Sequence, residues 1–306
     1  MIQSNYEAMG RIRYDVLKSF FEALSHKNIP YAVIKGEILS LYAYGKAGQR
    51  YSGDVDILVS INDVERVKSE LKELGFNARD SFDTDIALFS THQSITHVKE
   101  VNGECIEVDI NHDVFWAEYT GERLDISEFL SDTIEVEIYN CNIKTVTPLK
   151  AMMILALHHY RELNSLFYLS IPNCIDYKLF RDVYHLWTNN KQIIMDKLYE
   201  ISSKYKIIPY VYYVLYYTNQ VFADDDLENM VQSLETEEGK ALLNFYGLTK
   251  EERKEWKVDF FTRLNEEHVF NLIKDDLTQN DIEKLNVMHS IFPSQYWATV
   301  YSQLRK

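Results

Sequence analysis

The sequence predicts an α+β protein, with a small mixed sheet flanked by helices in the N-terminal half and a helical C-terminal domain. Two segments in which apolar and acidic residues alternate predict strands in the first half. From Pro148 onward, apolar residues recur instead at helical spacing. A total of 10 glycines and 5 prolines in 306 residues also favours a helix-rich fold. We therefore predict one domain over residues 1–146 and a helical domain over residues 147–306.

The first predicted strand leads into a helix through a glycine. Tyr31–Ile34 is a short apolar segment, Gly36 interrupts it, and apolar residues continue with helical spacing to Tyr42. A strand, a glycine and a helix start leave free backbone N–H groups where an anion can bind. Lys35 and Arg50 add positive charge near this turn, and arginine suits bidentate contact with phosphate. The alternative interpretation is that both cations are ordinary solvated side chains.

The segment that follows Gly53 carries two aspartates one residue apart. In a strand, Asp54 and Asp56 face one side, and the apolar residues that alternate with them face the other. The two aspartates are separated by about 6.5–7 Å of strand rise, so both carboxylates can converge on one hard cation. The alternative is an edge strand whose acidic face is solvated.

A second alternating segment occupies residues 104–111. Glu107 and Asp109 share one face of it, and Asn102-Gly103 just before it is a strong hairpin signal. We therefore predict that residues 94–101 form the partner strand. Acidic pairs on neighbouring strands suit a two-metal site for phosphoryl transfer, since Mg²⁺ prefers carboxylates together with substrate phosphates. Three scattered cysteines and the lack of a His-Glu-x-x-His sequence argue against zinc.

These segments together resemble the polymerase-β-type nucleotidyltransferase superfamily. Within that superfamily, the chain is similar to a group of largely uncharacterised bacterial nucleotidyltransferases. The resemblance covers residues 31–112 well and continues more weakly to about residue 187. It rests on Lys35-Gly36, Arg50, Gly53-Asp54-Val55-Asp56 and Val108-Asp109.

The resemblance implies an enzyme that transfers a nucleoside monophosphate from an NTP to a hydroxyl group, with Mg²⁺ as the metal and Mn²⁺ as the alternative. Asp54, Asp56 and Asp109 would hold two ions. Asp109 would also act as general base, and Glu107 is the rival for the third carboxylate. Glu37 departs from the usual Ser or Gly, because an acidic side chain disfavours a triphosphate unless it points away or contacts metal or ribose. The nucleotide would be bound by Lys35, Gly36, Glu37, Arg50, Gly53, Lys178 and Asp182.

The helical half offers two further features. Lys178 and Asp182 lie four residues apart on a predicted helix, which resembles a helix that approaches the nucleotide in several nucleotidyltransferases. The alternative is an ordinary ion pair on a surface helix. His158 and His159 are adjacent on another predicted helix, and adjacent helical residues do not share a face. We therefore predict one packed and one exposed histidine there rather than a metal site.

Composition bears on the acceptor and on the location. The chain has 47 acidic and 32 basic side chains, a net charge of −15, and no run of Lys or Arg. Because nucleic-acid binding normally needs a basic face, we predict a small-molecule or peptide acceptor, with tRNA as the remaining nucleic-acid case. Unpatterned cysteines and the lack of a signal peptide or membrane-spanning run predict a cytoplasmic protein. The alternatives are a toxin-type enzyme acting on tRNA or protein, and a non-catalytic nucleotide-binding module.

Overall fold

The computed structural model describes residues 2–79, 96–114, 124–291 and 294–304. The chain forms two compact units. The first unit consists of Met1–Leu155 and His185–Lys197, and the second of Ala156–Tyr184 and Leu198–Lys306. A mixed sheet with flanking helices, followed by a mainly helical chain, confirms the predicted fold class. The predicted domain division at residue 147 stays a prediction.

The sheet lies in the first unit and, in the described residues, has seven strands. They are β1 (Tyr31–Ile34), β2 (Val55–Val59), β3 (Asn77–Ala78), β4 (His97–Val101), β5 (Glu104–Asn111), β6 (Ile134–Ile138) and β7 (Cys141–Thr145). Their spatial order is β3-β4-β5-β2-β1-β7-β6. Strand β1 is antiparallel to β2 and parallel to β7, whereas β2 is parallel to β5. The aspartate strand β2 therefore lies between β1 and β5.

The β4–β5 hairpin forms at the predicted turn. Asn102 and Gly103 have φ values of +54° and +84°, the left-handed backbone that a tight two-residue hairpin requires. Val101 pairs with Glu104 across this turn, so the register of the whole hairpin follows from it. Strand β4 begins at His97, and the first two residues of the predicted strand, 94 and 95, lie outside the described residues.

Helices in the first unit cover the sheet with apolar side chains. They are α1 (Ile2–His26), α2 (Gly36–Tyr44), α3 (Val64–Glu73) and the short α4 (Ile126–Phe129). Residues from α1, α3, β2 and β5 share one buried core, and burying each large apolar side chain contributes about 1.5–3 kcal/mol. This core includes Leu17, Phe20, Leu24, Ile57, Val67, Leu71, Val108 and Ile110. The strands that carry the acidic residues are thereby fixed from the face opposite to them.

The chain after β7 is mostly helical, beginning at Pro148 as predicted. Its helices are α5 (Pro148–Asn164), α6 (Leu166–Leu169), α7 (Tyr177–Asn189), α8 (Lys191–Lys204), α9 (Ile208–Phe222), α10 (Asp225–Ser233), α11 (Glu237–Leu242), α12 (Phe260–Leu264), α13 (Phe270–Ile273), α14 (Gln279–Ile291) and α15 (Gln295–Leu304). A small ribbon pairs β8 (Phe245–Tyr246) with β9 (Lys254–Glu255). Among the described residues, no helix combines the length and apolar character that crossing a membrane would need.

Candidate active site

The turn between β1 and α2 has an uncommon backbone. Lys35 has φ +54° and ψ −143°, and Gly36 has φ +40°. For a lysine this conformation costs about 1–3 kcal/mol, so the surrounding structure must hold it in place. A Cβ at position 36 would lie 2.8 Å from Oγ of Ser52, and the positive φ would strain any other residue, so both observations favour glycine. The side chain of Lys35 does not cap α2, which leaves N–H groups of the first helical turn for another acceptor.

Strand pairing brings the predicted aspartates together. In the parallel β2–β5 pair, Asp56 lies directly opposite Asp109. Residues in register on neighbouring strands point to the same face of a sheet, so the two carboxylates are neighbours. Asp54 immediately precedes β2. Asp56 is buried, with 5 % exposure, whereas Asp54 and Asp109 are half-buried.

Each of the two paired carboxylates has a donor. The Lys35 ammonium donates to Oδ1 of Asp56 at 2.7 Å, and Nδ2 of Asn111 donates to the same oxygen at 3.1 Å. The hydroxyl of Thr96 donates to Oδ1 of Asp109 at 2.6 Å. Lys35 thus compensates the buried charge of Asp56, and Thr96 orients Asp109 with a short hydrogen bond.

Burial and neighbouring negative charges raise the pKa values of Asp54 and Asp109. Burial raises the pKa of Asp109 to about 6, and the negative charges of Asp56 and Asp54 add to the rise. Burial, and then the charge of Asp56, also raise the pKa of Asp54. Carboxylates that repel one another in a partly buried site fit divalent cations, which would neutralise them. No choice of one oxygen from each of the three carboxylates brings all three atoms within 4.8 Å of one another.

Glu37 is directed towards backbone. Its Oε2 accepts the N–H of Gly48 at 2.7 Å and lies 3.4 Å from the hydroxyl of Tyr139. Burial raises the pKa of this carboxyl, while the Gly48 N–H and the charge of Arg13 oppose the rise. The side chain therefore fixes the loop at Gly48, which gives a physical reason for an acidic residue at this position.

Arg13 supports the segment before Asp54. This arginine of α1 is 4 % exposed, and its Nη2 donates to the carbonyl oxygens of Ser52 and Gly53, both at 3.1 Å. Its positive charge also opposes the rise in the pKa of Asp54. Arg13 therefore positions the backbone that precedes Asp54. The predicted residue Gly53 contributes to the site through its carbonyl oxygen, which accepts this hydrogen bond.

Arg50 and Glu107 occupy different surroundings. Arg50 places Nη1 3.5 Å from the carbonyl oxygen of Gly36, so its guanidinium lies beside the glycine turn. Glu107 forms an ion pair with Arg79. Asp109, by contrast, lies opposite Asp56. This arrangement favours Asp109 over Glu107 as the third carboxylate.

Lys178 and Asp182 lie in the second unit, on α7. Lys178 is exposed and its ammonium is 3.2 Å from Asp176, whereas Asp182 is buried. The contact with a nucleotide that the sequence predicts for them stays a prediction.

The sequence reasoning missed three residues of the site. Asn111 follows Asp109 by two positions on the same strand, so alternation could have indicated it. Thr96 and Arg13 come from other segments, and no local pattern points to either. Their roles depend on the tertiary fold.

The turn at Gly36, the aspartates at β2 and the aspartate opposite them on β5 identify the fold as that of the polymerase-β-type nucleotidyltransferase superfamily, as the sequence predicted. A family model described as an uncharacterised nucleotidyltransferase matches residues 11–223, which is more than half of the chain. The protein therefore belongs to this family of uncharacterised nucleotidyltransferases.

Other comparisons show more distant similarity. The antibiotic-resistance factor ANT(2'')-Ia is 12% identical, with a TM-score of 0.39 over 64% of this chain and 95% of that chain. The lincosamide antibiotic adenylyltransferase LnuA is 13% identical, with a TM-score of 0.35 over 57% and 96%. A nucleotidyltransferase-like protein from Paracoccidioides brasiliensis is 16% identical, with a TM-score of 0.35 over 63% and 92%. A search among curated proteins found no match.

Proposed function

We propose that this protein is a Mg²⁺-dependent enzyme that transfers a nucleoside monophosphate from an NTP to a hydroxyl group of a small-molecule or peptide acceptor. One observation carries the proposal: Asp56 and Asp109 lie side by side on parallel strands, with Lys35 bound to Asp56. Membership of a nucleotidyltransferase family supports the class of reaction. The net charge of −15 supports an acceptor other than a long nucleic acid.

Asp54, Asp56 and Asp109 would hold the divalent ions, which neutralise phosphate charge and align the reacting oxygens when bound. A set of three carboxylates suits Mg²⁺, with Mn²⁺ as the alternative, because both are hard cations that prefer oxygen ligands. The hydrogen bond from Asn111 fixes the buried carboxylate of Asp56 within this set.

Asp109 is suited to remove the proton from the acceptor hydroxyl. The role of general base for Asp109 is supported by its place opposite Asp56, at the end of β5. The short hydrogen bond from Thr96 to Oδ1 leaves the other oxygen, Oδ2, to accept that proton. Positioning and charge stabilisation would supply most of the catalysis.

The first turn of α2 is suited to bind the phosphates. Backbone N–H groups there carry the positive end of the helix dipole, and the guanidinium of Arg50 lies beside Gly36. Lys35 adds an ammonium group between this turn and Asp56. Because the carboxylate of Glu37 accepts the N–H of Gly48, its charge is partly offset by that contact.

The test compares Asp54→Asn and Asp56→Asn with the matched control Glu65→Gln, an exposed acid on α3. Each protein is incubated with labelled NTPs, Mg²⁺ and a metabolite extract, and products are identified by mass. We expect a product that gains one nucleoside monophosphate, formed by the wild type and the control and absent with both aspartate variants. Full transfer by both aspartate variants would refute the proposal.

The same assay separates the alternatives. A toxin-type enzyme would add the label to tRNA or protein instead of a small product. A nucleotide-binding module would bind NTP and Mg²⁺ in a calorimetric titration and release no pyrophosphate.

A further inference from the structure

A second cluster of metal-ligand side chains lies in the second unit, on the C-terminal part of α5. It consists of His158, His159 and Glu162, whose ligand atoms all lie within 4.8 Å of one another. We propose that this cluster binds a transition-metal ion of the zinc type. The proposal does not depend on the nucleotidyl-transfer reaction, because none of these residues belongs to the aspartate site.

The cluster forms because the carboxylate of Glu162 contacts both histidines. Glu162 follows His158 by four residues and His159 by three, and both spacings bring side chains together on a helix. His159 is buried, which agrees with one packed histidine, whereas His158 is only partly exposed and not the exposed histidine that the sequence predicted. The prediction against a metal site considered only the two imidazoles, and it overlooked the glutamate between them.

One of the two nitrogen–oxygen distances in the cluster already matches tetrahedral coordination, and the other is shorter. Nε2 of His158 lies 3.3 Å from Oε1 of Glu162, and Nδ1 of His159 lies 2.8 Å from Oε2. Zinc binds nitrogen at about 2.0–2.1 Å and carboxylate oxygen at about 2.0–2.2 Å, which places neighbouring ligand atoms roughly 3.3–3.5 Å apart. A metal ion can therefore take the place of the protons between these atoms after small side-chain movements.

The surroundings of His159 also bear on metal binding. His159 is 5 % exposed and its Nδ1 lies 2.8 Å from Oε2 of Glu162, while in the part of the chain that the structure describes its buried Nε2 has no hydrogen-bond partner. When the ring proton is on Nε2, the lone pair of Nδ1 faces Glu162 and can bind a metal.

The kinds of ligand indicate which ion would bind. Two imidazoles and a carboxylate favour a borderline ion such as Zn²⁺ over Mg²⁺, which prefers oxygen ligands.

Arg161 competes with the metal. Its Nη2 lies 3.3 Å from Nδ1 of His158 and 3.4 Å from the hydroxyl of Tyr168. A guanidinium only donates, so this contact makes Nδ1 an acceptor and places the imidazole proton on Nε2. A metal bound at Nε2 therefore requires Arg161 to release His158. Consequently, Arg161→Gln should tighten metal binding, by roughly tenfold for the loss of one nearby positive charge.

The experiment uses the full chain with Asp54→Asn and Asp56→Asn, so that the aspartate site does not bind the probe. The metal-free protein is titrated with Co²⁺, followed by its visible absorption, and then with Zn²⁺. We expect one Co²⁺ per chain with a tetrahedral spectrum, displaced by Zn²⁺. In this background, His159→Gln and Glu162→Gln should each weaken Co²⁺ binding by about 100-fold or more. The matched control is His26→Gln, a histidine at the exposed end of α1.

Three results would overturn the inference: no bound Co²⁺, an octahedral spectrum, or unchanged affinity in both ligand variants. Circular dichroism shows whether the ligand variants fold. If the ligand variants do not fold, the Arg161→Gln variant becomes the test of the proposed site, because it keeps all three ligands. Unchanged or weaker Co²⁺ binding in that variant would contradict the proposed site. All readouts measure the ion, so a failure of nucleotidyl transfer leaves this result unaffected.

Discussion

The two clusters of acidic and metal-ligand side chains, one in each unit, are built in opposite ways. Asp54, Asp56 and Asp109 come from neighbouring strands, so their convergence depends on sheet register. His158 and Glu162, with the histidine between them, come from a single helix, so local spacing alone brings them together. The strand cluster offers only oxygen ligands, whereas the helix cluster offers mainly nitrogen.

The neighbouring charges explain why similar carboxyl groups behave differently in the two clusters. Burial and two other aspartates raise the pKa of Asp109 to about 6. Burial also acts on Glu162, yet two imidazoles lower the pKa of that group well below its usual range. Burial alone therefore does not decide whether a carboxyl group is protonated. The sign of the nearest charges decides whether its pKa rises or falls. An all-carboxylate cluster therefore needs a cation, and Lys35 already supplies one charge to it.

The largest expected effect is that of Asp56→Asn. Removing this carboxylate should reduce nucleotidyl transfer by about 10³-fold or more, because we propose that Asp56 holds the divalent ions. The charge of Asp56 also raises the pKa of Asp109, so that pKa should fall in the variant. Transfer rates with labelled NTP and an NMR titration of the Asp109 carboxyl measure the two effects. A variant that retains transfer within tenfold of the wild type would contradict the role proposed for Asp56.

Metal preference should separate the two clusters. Asp54→Asn should weaken Mn²⁺ binding by about 100-fold and leave Co²⁺ bound at the histidines. His159→Gln should instead weaken Co²⁺ binding and leave Mn²⁺ bound at the aspartates. Electron paramagnetic resonance follows free Mn²⁺, and visible absorption follows bound Co²⁺. If one substitution abolished the binding of both ions, the clusters would not be independent.

Arg13→Met tests how the strand cluster is supported. The substitution leaves the partly buried carbonyl oxygens of Ser52 and Gly53 without this donor, and it removes a positive charge near Glu37. We expect a loss of about 2–4 kcal/mol in the free energy of unfolding, measured with urea. The control Arg66→Met, an exposed arginine paired with Asp63, should lose less than about 1 kcal/mol. Equal losses would show that Arg13 has no special supporting role.

The smallest effect concerns Thr96 and pH. The Thr96 hydroxyl opposes the rise in the pKa of Asp109, so Thr96→Val should move that pKa above 6, by roughly one unit. In the metal-free protein, folded Asp109 holds extra protons between its ordinary pKa of 3.8 and about 6. Its contribution to stability is therefore greatest below that window and falls as pH rises through it. Urea unfolding across this range should show a wider window in the variant, and an unchanged window would contradict the role of Thr96.

Much of the strand cluster could be predicted because its signals are local. Alternation of apolar and acidic residues placed the aspartates, and Asn102-Gly103 set the hairpin that carries Asp109. The sequence could not show that β2 pairs in parallel with β5, or that Lys35 reaches Asp56. Both depend on contacts between segments distant in the chain.

The residues that support the aspartates could not be predicted from local sequence patterns, for the same reason. Arg13 and the segment that it holds are about forty residues apart, and Glu37 contacts Gly48 only because the loop folds back. The histidine cluster was different, since its spacing was visible in the sequence. It was missed because His158 and His159 were compared with each other and not with Glu162.

The ion pair between Lys35 and Asp56 has a practical consequence for handling the protein. The ammonium of Lys35 already balances the most buried of the three aspartates, so chelation with EDTA should leave the fold intact. Loading with a divalent ion is then an exchange of one positive group for another, rather than a step that folding requires. A chelated sample can therefore serve as the common starting material for every titration, with each metal added back in turn.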